Sequence, residues 1–133
     1  MTRATWKLVA AALLATAVAC GKDNSAPVAG ILKITLATTP NSGLDGGLLL
    51  SVSGPVIPSG ATAQTGFRLF GPLTATTNKL AVTGTLATGV ILFTIDVPDI
   101  NKVAQYHATV LQVAASSNFG LRSLSGYSLS VTK

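Results

Sequence analysis

A polar stretch in the second half of the chain offers the oxygen ligands that a calcium ion prefers. Asp96, Asp99 and Asn101 lie within six residues of one another. Calcium takes about six to eight oxygen ligands, often from carboxylate, amide and backbone carbonyl groups of one loop. Asp45 joins them only if the fold brings its loop alongside. The alternative is turn chemistry, in which Pro98 fixes φ and Asp99 or Asn101 accepts hydrogen bonds from nearby backbone N–H groups.

The supply of catalytic side chains is small. The chain contains one histidine, His107, and no glutamate. A serine hydrolase needs a serine, a base and an acid in contact; only His107 can serve as the base, and no serine stands in a Gly-x-Ser-x-Gly elbow. A glycosidase needs two carboxylates across the sugar bond, for which Asp45, Asp96 and Asp99 are the candidates. We therefore expect His107 to be a surface residue, with a small hydrolase as the weaker alternative, and the ligand supply excludes a zinc site.

The only cysteine, Cys20, follows a segment with the three parts of an export signal. Arg3 and Lys7 supply a basic start, residues 8–17 form an apolar run, and small residues precede the cysteine. This order is typical of a secretory signal peptide. The apolar run is shorter than the roughly 20 residues that a membrane-spanning helix needs, so we expect it to be cleaved.

The residues Ala17-Val18-Ala19-Cys20 resemble the lipobox of bacterial lipoproteins. In that family the cysteine thiol is joined to a diacylglycerol, the chain is cut before the cysteine, and the new amino terminus is usually acylated. The resemblance implies lipidation at Cys20, with palmitate or a similar acyl group. The family favours leucine where this chain has Ala17. Ala17-x-Ala19 also suits ordinary signal peptidase, which would release a soluble protein that begins with Cys20.

Lipidation also accounts for a cysteine that has no partner for a disulfide within the chain. Each buried CH₂ contributes about 0.8 kcal/mol, so several acyl chains hold a protein firmly on a membrane. The polar segment 21–27 is typical of a flexible tether and reaches at most about 25 Å when extended. By resemblance to the lipoprotein sorting rule of Gram-negative bacteria, Gly21 favours the outer membrane over the inner, on its periplasmic or cell-surface face.

The charge of the exported chain does not favour a nucleic-acid partner. Removal of Arg3 and Lys7 with the signal lowers the formal charge from +5 to +3. The remaining basic residues are dispersed along the chain, whereas a nucleic-acid binder usually clusters them.

The remainder of the chain is rich in Thr, Ser, Gly, Val, Leu and Ala, which favours strands and turns over helices. Alternation of apolar and polar residues predicts about seven or eight short strands between Gly-, Pro- and Asn-containing turns. The predicted strands lie within 28–37, 48–53, 66–70, 79–86, 90–97, 105–113, 121–123 and 127–131. This pattern favours an all-β fold, an antiparallel β-sandwich, with a barrel as the alternative. We expect a signal helix at 1–19, Cys20 and a short tether at 20–27, and the sandwich at 28–133.

Some side chains can be assigned to a face of the sheet. In the strand 90–97 the alternation places Ile91, Phe93, Ile95 and Val97 inward, and Thr94 and Asp96 outward. Phe70 and Phe119 lie near turns, where an exposed ring can contact a sugar, although packing roles are expected for all the aromatic residues of the domain.

The order of these strands is similar to that of cohesin-like sandwiches of bacterial surface proteins, on the stretches 31–36, 42–43, 48–52 and 87–95. The chain also resembles the many small bacterial lipoproteins of unknown role. The sequence thus predicts a lipid-anchored, non-enzymatic binding or structural module of the bacterial cell envelope, without a required cofactor. Its edge strands or loops would bind an envelope protein or a glycan. The alternatives are a calcium-stabilised adhesion-type module and the small hydrolase.

Overall fold

The computed structural model describes residues 26–133, which form eight β-strands and one 3₁₀ helix. The elements in chain order are β1 (Gly30–Thr38), β2 (Asp45–Ser53), β3 (Gly60–Ala63), β4 (Arg68–Phe70), β5 (Thr77–Leu86), β6 (Ile91–Val97), the 3₁₀ helix (Ile100–Gln105), β7 (His107–Ala115) and β8 (Ser128–Thr132). The predicted signal peptide, Cys20 and most of the predicted tether lie outside the described residues.

The strands form two antiparallel sheets of four strands each. The first sheet has the order β3-β6-β1-β8, and the second has the order β4-β5-β2-β7. Of the successive strands, only β4 and β5 are neighbours in one sheet, so every other connection crosses from one sheet to the other. The predicted all-β, antiparallel sandwich is confirmed. Among residues 26–133, no helix has the length and apolarity needed to cross a membrane.

Apolar residues at every second position of the strands form the core between the two sheets. Every second residue of the central strands is buried, namely Leu32, Ile34 and Leu36 of β1, Leu48, Leu50 and Val52 of β2, and Leu80 and Val82 of β5. Full burial of one such side chain contributes about 1.5–3 kcal/mol. Tyr106 closes the core at one end, where its ring packs so closely over Gly54 that a Cβ at this position would overlap the ring.

The alternation predicted for β6 holds from Phe93 to Val97 and changes before it. Ile34 pairs with Phe93 and Thr35 pairs with Ile91, so Leu92 is the extra residue of a β-bulge. Leu92 is fully buried, whereas Ile91, predicted to face inward, is partly exposed.

Thr94 stands on the outer face of the same strand, as predicted, and is nonetheless buried. Its neighbours explain the burial, because it lies between Lys33 of β1 and Thr62 of β3 in the middle of the first sheet. The residues on either side therefore cover the threonine even though it stands on the outer face.

Two elements have no counterpart in the sequence-based prediction. Strand β3 has the sequence Gly-Ala-Thr-Ala, which lacks large apolar residues, and its pairing with β6 is made by the backbone. The 3₁₀ helix follows Asp99, at a place where the sequence predicts only a break. The strand predicted at 121–123 is reduced to an isolated bridge between Leu121 and Ala114.

The strand directions define two ends of the sandwich. The tether end, where the described chain begins, consists of segments 26–29, 54–59, 71–76 and 98–106. Val28 accepts a hydrogen bond at its carbonyl oxygen from the N–H of Ile100, at 2.8 Å, and thereby joins two of these segments. The distal end includes the connections β1–β2, β5–β6 and β7–β8, which are residues 39–44, 87–90 and 116–127, and the β3–β4 connection at 64–67 lies toward the same end.

Candidate functional site

At the distal end a carboxylate is buried, and it is the polar group there that most needs hydrogen-bond partners. Asp45 is the first residue of β2 and is fully buried. It lies between Leu86 of β5 and Ala115 of β7, in the middle of the second sheet. Burial of an ionised carboxylate is costly unless the charge is paired and hydrogen-bonded. Partners for Asp45 are therefore required.

Two side chains of the β7–β8 connection supply the partners. The Nε of Arg122 donates to one carboxylate oxygen of Asp45 at 2.8 Å, and the hydroxyl of Tyr127 donates to the other. The side-chain amide of Asn41, in the β1–β2 connection, donates to the Tyr127 oxygen at 3.0 Å. Within residues 26–133, no buried side-chain nitrogen or oxygen lacks a hydrogen-bond partner. We call the side chains of Asp45, Arg122, Tyr127 and Asn41 the Asp45 network.

Backbone hydrogen bonds hold the β1–β2 and β7–β8 connections in place. The N–H of Arg122 donates to the carbonyl of Val113 at 2.8 Å, which keeps the start of the β7–β8 connection paired with β7. Ser116 binds the carbonyl of Leu44 through both its N–H and its hydroxyl, each at 3.0 Å. Gly46 permits this approach, because a Cβ there would lie 3.1 Å from the Cβ of Ser116. The β1–β2 and β7–β8 connections are therefore joined by backbone and side-chain contacts together.

The surroundings of Tyr127 raise its pKa, so its hydroxyl stays protonated further into alkali than that of an exposed tyrosine. Burial raises the pKa of Tyr127 above its ordinary value of 10.0, because the phenolate would lose solvation. The hydrogen bond from Asn41 acts in the opposite direction, and the carboxylate of Asp45 raises the pKa further. A neutral hydroxyl is the form that can donate to Asp45. All four side chains are thus engaged with one another, and this arrangement stabilises the loops.

The loops held by the network display apolar side chains to solvent. Phe119 is 83% exposed, Leu121 is 70% exposed and Leu44 is 60% exposed. Phe119 also has a φ of 56°, in the left-handed region that few non-glycine residues adopt. The side-chain oxygen of Asn118 accepts from the N–H of Gly120 at 2.9 Å and fixes this turn. We call Leu44, Phe119 and Leu121 the distal apolar surface.

Leu121 also borders an apolar groove on the outer face of the second sheet. The groove is shallow, with a volume of about 200 Å³, and runs over Gly47, Ala81 and Ala114, whose small size leaves room between Leu49 and Leu121. Phe70 of β4 pairs with Ala81 in the neighbouring strand and is 53% exposed. The sequence favoured packing roles for Phe70 and Phe119, with exposure as the alternative, and both rings are exposed.

The predicted calcium ligands lie at the tether end. The carboxylate of Asp99 caps the 3₁₀ helix: its Oδ1 accepts from the N–H of Asn101 at 3.0 Å and from that of Val28 at 3.3 Å. Asp96 stands on the exposed outer face of β6, opposite Gly60. The turn chemistry proposed as the alternative is therefore present, and calcium binding by Asp96, Asp99 and Asn101 stays a prediction.

Asp45 does not join that stretch, because it lies at the distal end and is occupied by Arg122 and Tyr127. In the part of the chain that the structure describes, no three His, Cys, Asp or Glu side chains gather in a way that could hold a metal ion. His107 is exposed at the first position of β7, opposite Ser53, whereas Asp45 pairs with the last residue of β7. The histidine and the buried carboxylate are thus at opposite ends of the sandwich.

Comparison of the chain with protein-family models, with curated proteins and with solved structures gave no match. The description of the site therefore rests on the contacts of this chain.

Substitution of Arg122 tests the energetic role of the Asp45 network. We expect Arg122→Ala to lower the free energy of unfolding by about 2–3 kcal/mol, between the values for exposed and buried ion pairs, because it leaves the buried carboxylate without its cation. Urea denaturation measures the change. Arg68→Ala is the matched control, since Arg68 is exposed in β4, and it should cost less than about 0.5 kcal/mol. Asp45→Asn in the Arg122→Ala background should recover part of the loss; equal losses in both single arginine variants would contradict this role.

The raised pKa of Tyr127 predicts a loss of stability in alkali. A group whose pKa is higher in the folded protein keeps its full contribution below the unfolded value of 10.0, and the contribution is lost as pH rises through the folded pKa. Denaturation curves from about pH 8 to about pH 11 should show this fall, with a shallower slope in Tyr127→Phe. Some slope remains in that variant, because burial also raises the pKa of Tyr106. Identical slopes for wild type and variant would contradict the assignment.

Proposed function

We propose that the protein is a lipid-anchored, extracytoplasmic binding module of the bacterial cell envelope, without enzymatic activity. In this proposal the export signal is removed, Cys20 carries a diacylglycerol and further acyl groups such as palmitate, and the chain is held on a membrane, with the outer membrane favoured. The basic start, the apolar run and the small residues before the only cysteine support this proposal.

The observation that carries the binding role is the position of the distal apolar surface. The tether enters the sandwich at Val28, and Leu44, Phe119 and Leu121 lie at the opposite end. A domain anchored through residue 20 would therefore present these side chains away from its point of entry. Neighbouring exposed apolar residues are typical of interaction sites, whereas single ones need no explanation.

The Asp45 network supports a binding role because it fixes the loops that carry this surface. Ordered loops lose less conformational entropy when a partner binds than mobile ones do. Arg122 and Tyr127 are held by Asp45, and Leu44 is held through its carbonyl by Ser116. The surface is thus formed before any partner arrives.

The nature of the surface favours an envelope protein over a glycan. Protein interfaces bury aliphatic and aromatic side chains together, and two of the three residues of the distal apolar surface are leucines. The absence of enzymatic activity is part of the proposal. It is supported by the distance of His107 from the buried carboxylate and by the engagement of every polar side chain of the network.

The anchor is tested by mass and by membrane partitioning. Expressed in a bacterium, the wild-type protein should gain the mass of a diacylglyceryl group and sediment with membranes, and Cys20→Ser should do neither. The reason is that the acyl chains supply the membrane affinity. A soluble wild-type protein with an unmodified amino-terminal Cys20 would remove the anchor from the proposal.

The binding surface is tested by photo-crosslinking in the intact envelope. A photoreactive amino acid at position 119 should give a discrete crosslinked product, because Phe119 is the most exposed residue of the distal apolar surface. The same group at position 62 is the matched control, since Thr62 is exposed on the outer face of the first sheet. Leu44→Ser and Leu121→Ser should weaken the product at position 119. Equal products from both positions, or none, would contradict a role for this surface.

A further inference from the structure

The tether end exposes apolar side chains that the distal binding surface does not explain. Val56 is 42% exposed and Ile57 is 48% exposed in the β2–β3 connection. They stand between Pro55 and Pro58, of which Pro58 is buried. Prolines restrict the backbone of this short connection, so the two side chains are held outward at little conformational cost.

The point at which the chain enters the sandwich determines which end lies near a lipid on Cys20. Val28 is held at both backbone groups, by the N–H of Ile100 at 2.8 Å and by the Oδ1 of Asp99 at 3.3 Å. The β2–β3 connection is tied to the same end, because the N–H of Ser59 donates to the carbonyl of Asp96 at 3.0 Å. Residues 21–27 between Cys20 and Val28 reach at most about 25 Å. A lipid on Cys20 therefore keeps this end of the sandwich within about 25 Å of the membrane.

We propose that the tether end docks onto the phospholipid surface, with Val56 and Ile57 placed in the interfacial region of the bilayer. The proposal rests on the lipid anchor of the proposed function and deepens it, since it gives the anchored domain a fixed orientation. Burial of exposed apolar side chains is the driving force. Because the anchor makes the contact intramolecular, even a weak contact is populated.

The charges near this surface indicate which force holds it. Lys79, Lys102 and Lys133 are exposed at or near this end, and Asp96 and Asp99 lie close by, so these groups have a net charge of only +1. With so small a net charge, attraction to anionic lipids contributes little. Docking is therefore apolar, and it depends only weakly on salt concentration.

Burial of a label in vesicles tests the docking. The lipidated full-length protein carries Ile57→Cys with an environment-sensitive fluorophore and is placed in phosphatidylcholine vesicles that contain a lipid-bound quencher. The acylated Cys20 has no free thiol to react with the fluorophore. The emission at position 57 should shift to the blue and be quenched several-fold more than that of the same fluorophore on Phe119→Cys. Raised salt should leave the difference unchanged.

A second substitution separates docking from the anchor. Val56→Ser should reduce the quenching at position 57 while the protein stays on the vesicles, and Leu124→Ser, which removes an exposed leucine at the distal end, should leave it unchanged. Intact mass reports lipidation of each sample. A lipidated sample whose label at 57 is as accessible to water as that at 119 overturns the docking and leaves the anchor standing. A sample without the diacylglyceryl mass overturns the anchor and the docking with it.

Discussion

The charge of the buried Asp45 carboxylate has to be compensated at the place where β2 begins. The arrangement of the loops at the distal end depends on this compensation. The residue lies in the middle of a sheet with no access to water, where an unpaired charge is costly. Its two partners, Arg122 and Tyr127, both lie on the connection between β7 and β8. That connection starts in the second sheet and ends in the first. The buried charge thus fixes the long connection that joins the two sheets at this end.

This constraint gives the two ends of the sandwich different characters. At the distal end, polar side chains in the interior hold loops whose apolar side chains face solvent. At the tether end, Asp99 caps the 3₁₀ helix and fixes the entering chain at Val28. One end thus carries the surface proposed for recognition, and the other is the end to which the proposed anchor would connect. This difference in character is the basis of the proposed function and of the proposed docking.

Local sequence patterns were sufficient to predict most strands. They were insufficient where the structure of a strand depends on its pairing with a neighbouring strand. Leu32, Ile34 and Leu36 alternate with polar residues, so their burial follows from the sequence alone. Strand β3 was missed because its pairing with β6 needs no apolar side chain. The bulge at Leu92 was missed because a register shift arises between two strands and leaves no mark in either one. The cap at Asp99 agrees with one of the two hypotheses that the sequence allows, in which this side chain is either a hydrogen-bond acceptor in a turn or a calcium ligand.

The sequence by itself determined the all-β class and most strands, and it favoured the sandwich over a barrel, because these depend on residues close together in the chain. It did not determine the exposure of Phe70 and Phe119, for which packing was the expectation. It supplies the whole basis for the predicted lipid anchor at Cys20, which is a property of adjacent residues. Only the tertiary structure decided the partners of Asp45. Arg122 is 77 positions away from it and Tyr127 is 82 positions away, and no local pattern relates residues at such separations. Their meeting depends on which strands pair and where each connection crosses between the sheets. For the same reason, only the fold could place Leu44 beside the β7–β8 connection and put Val56 and Ile57 at the end where the tether enters.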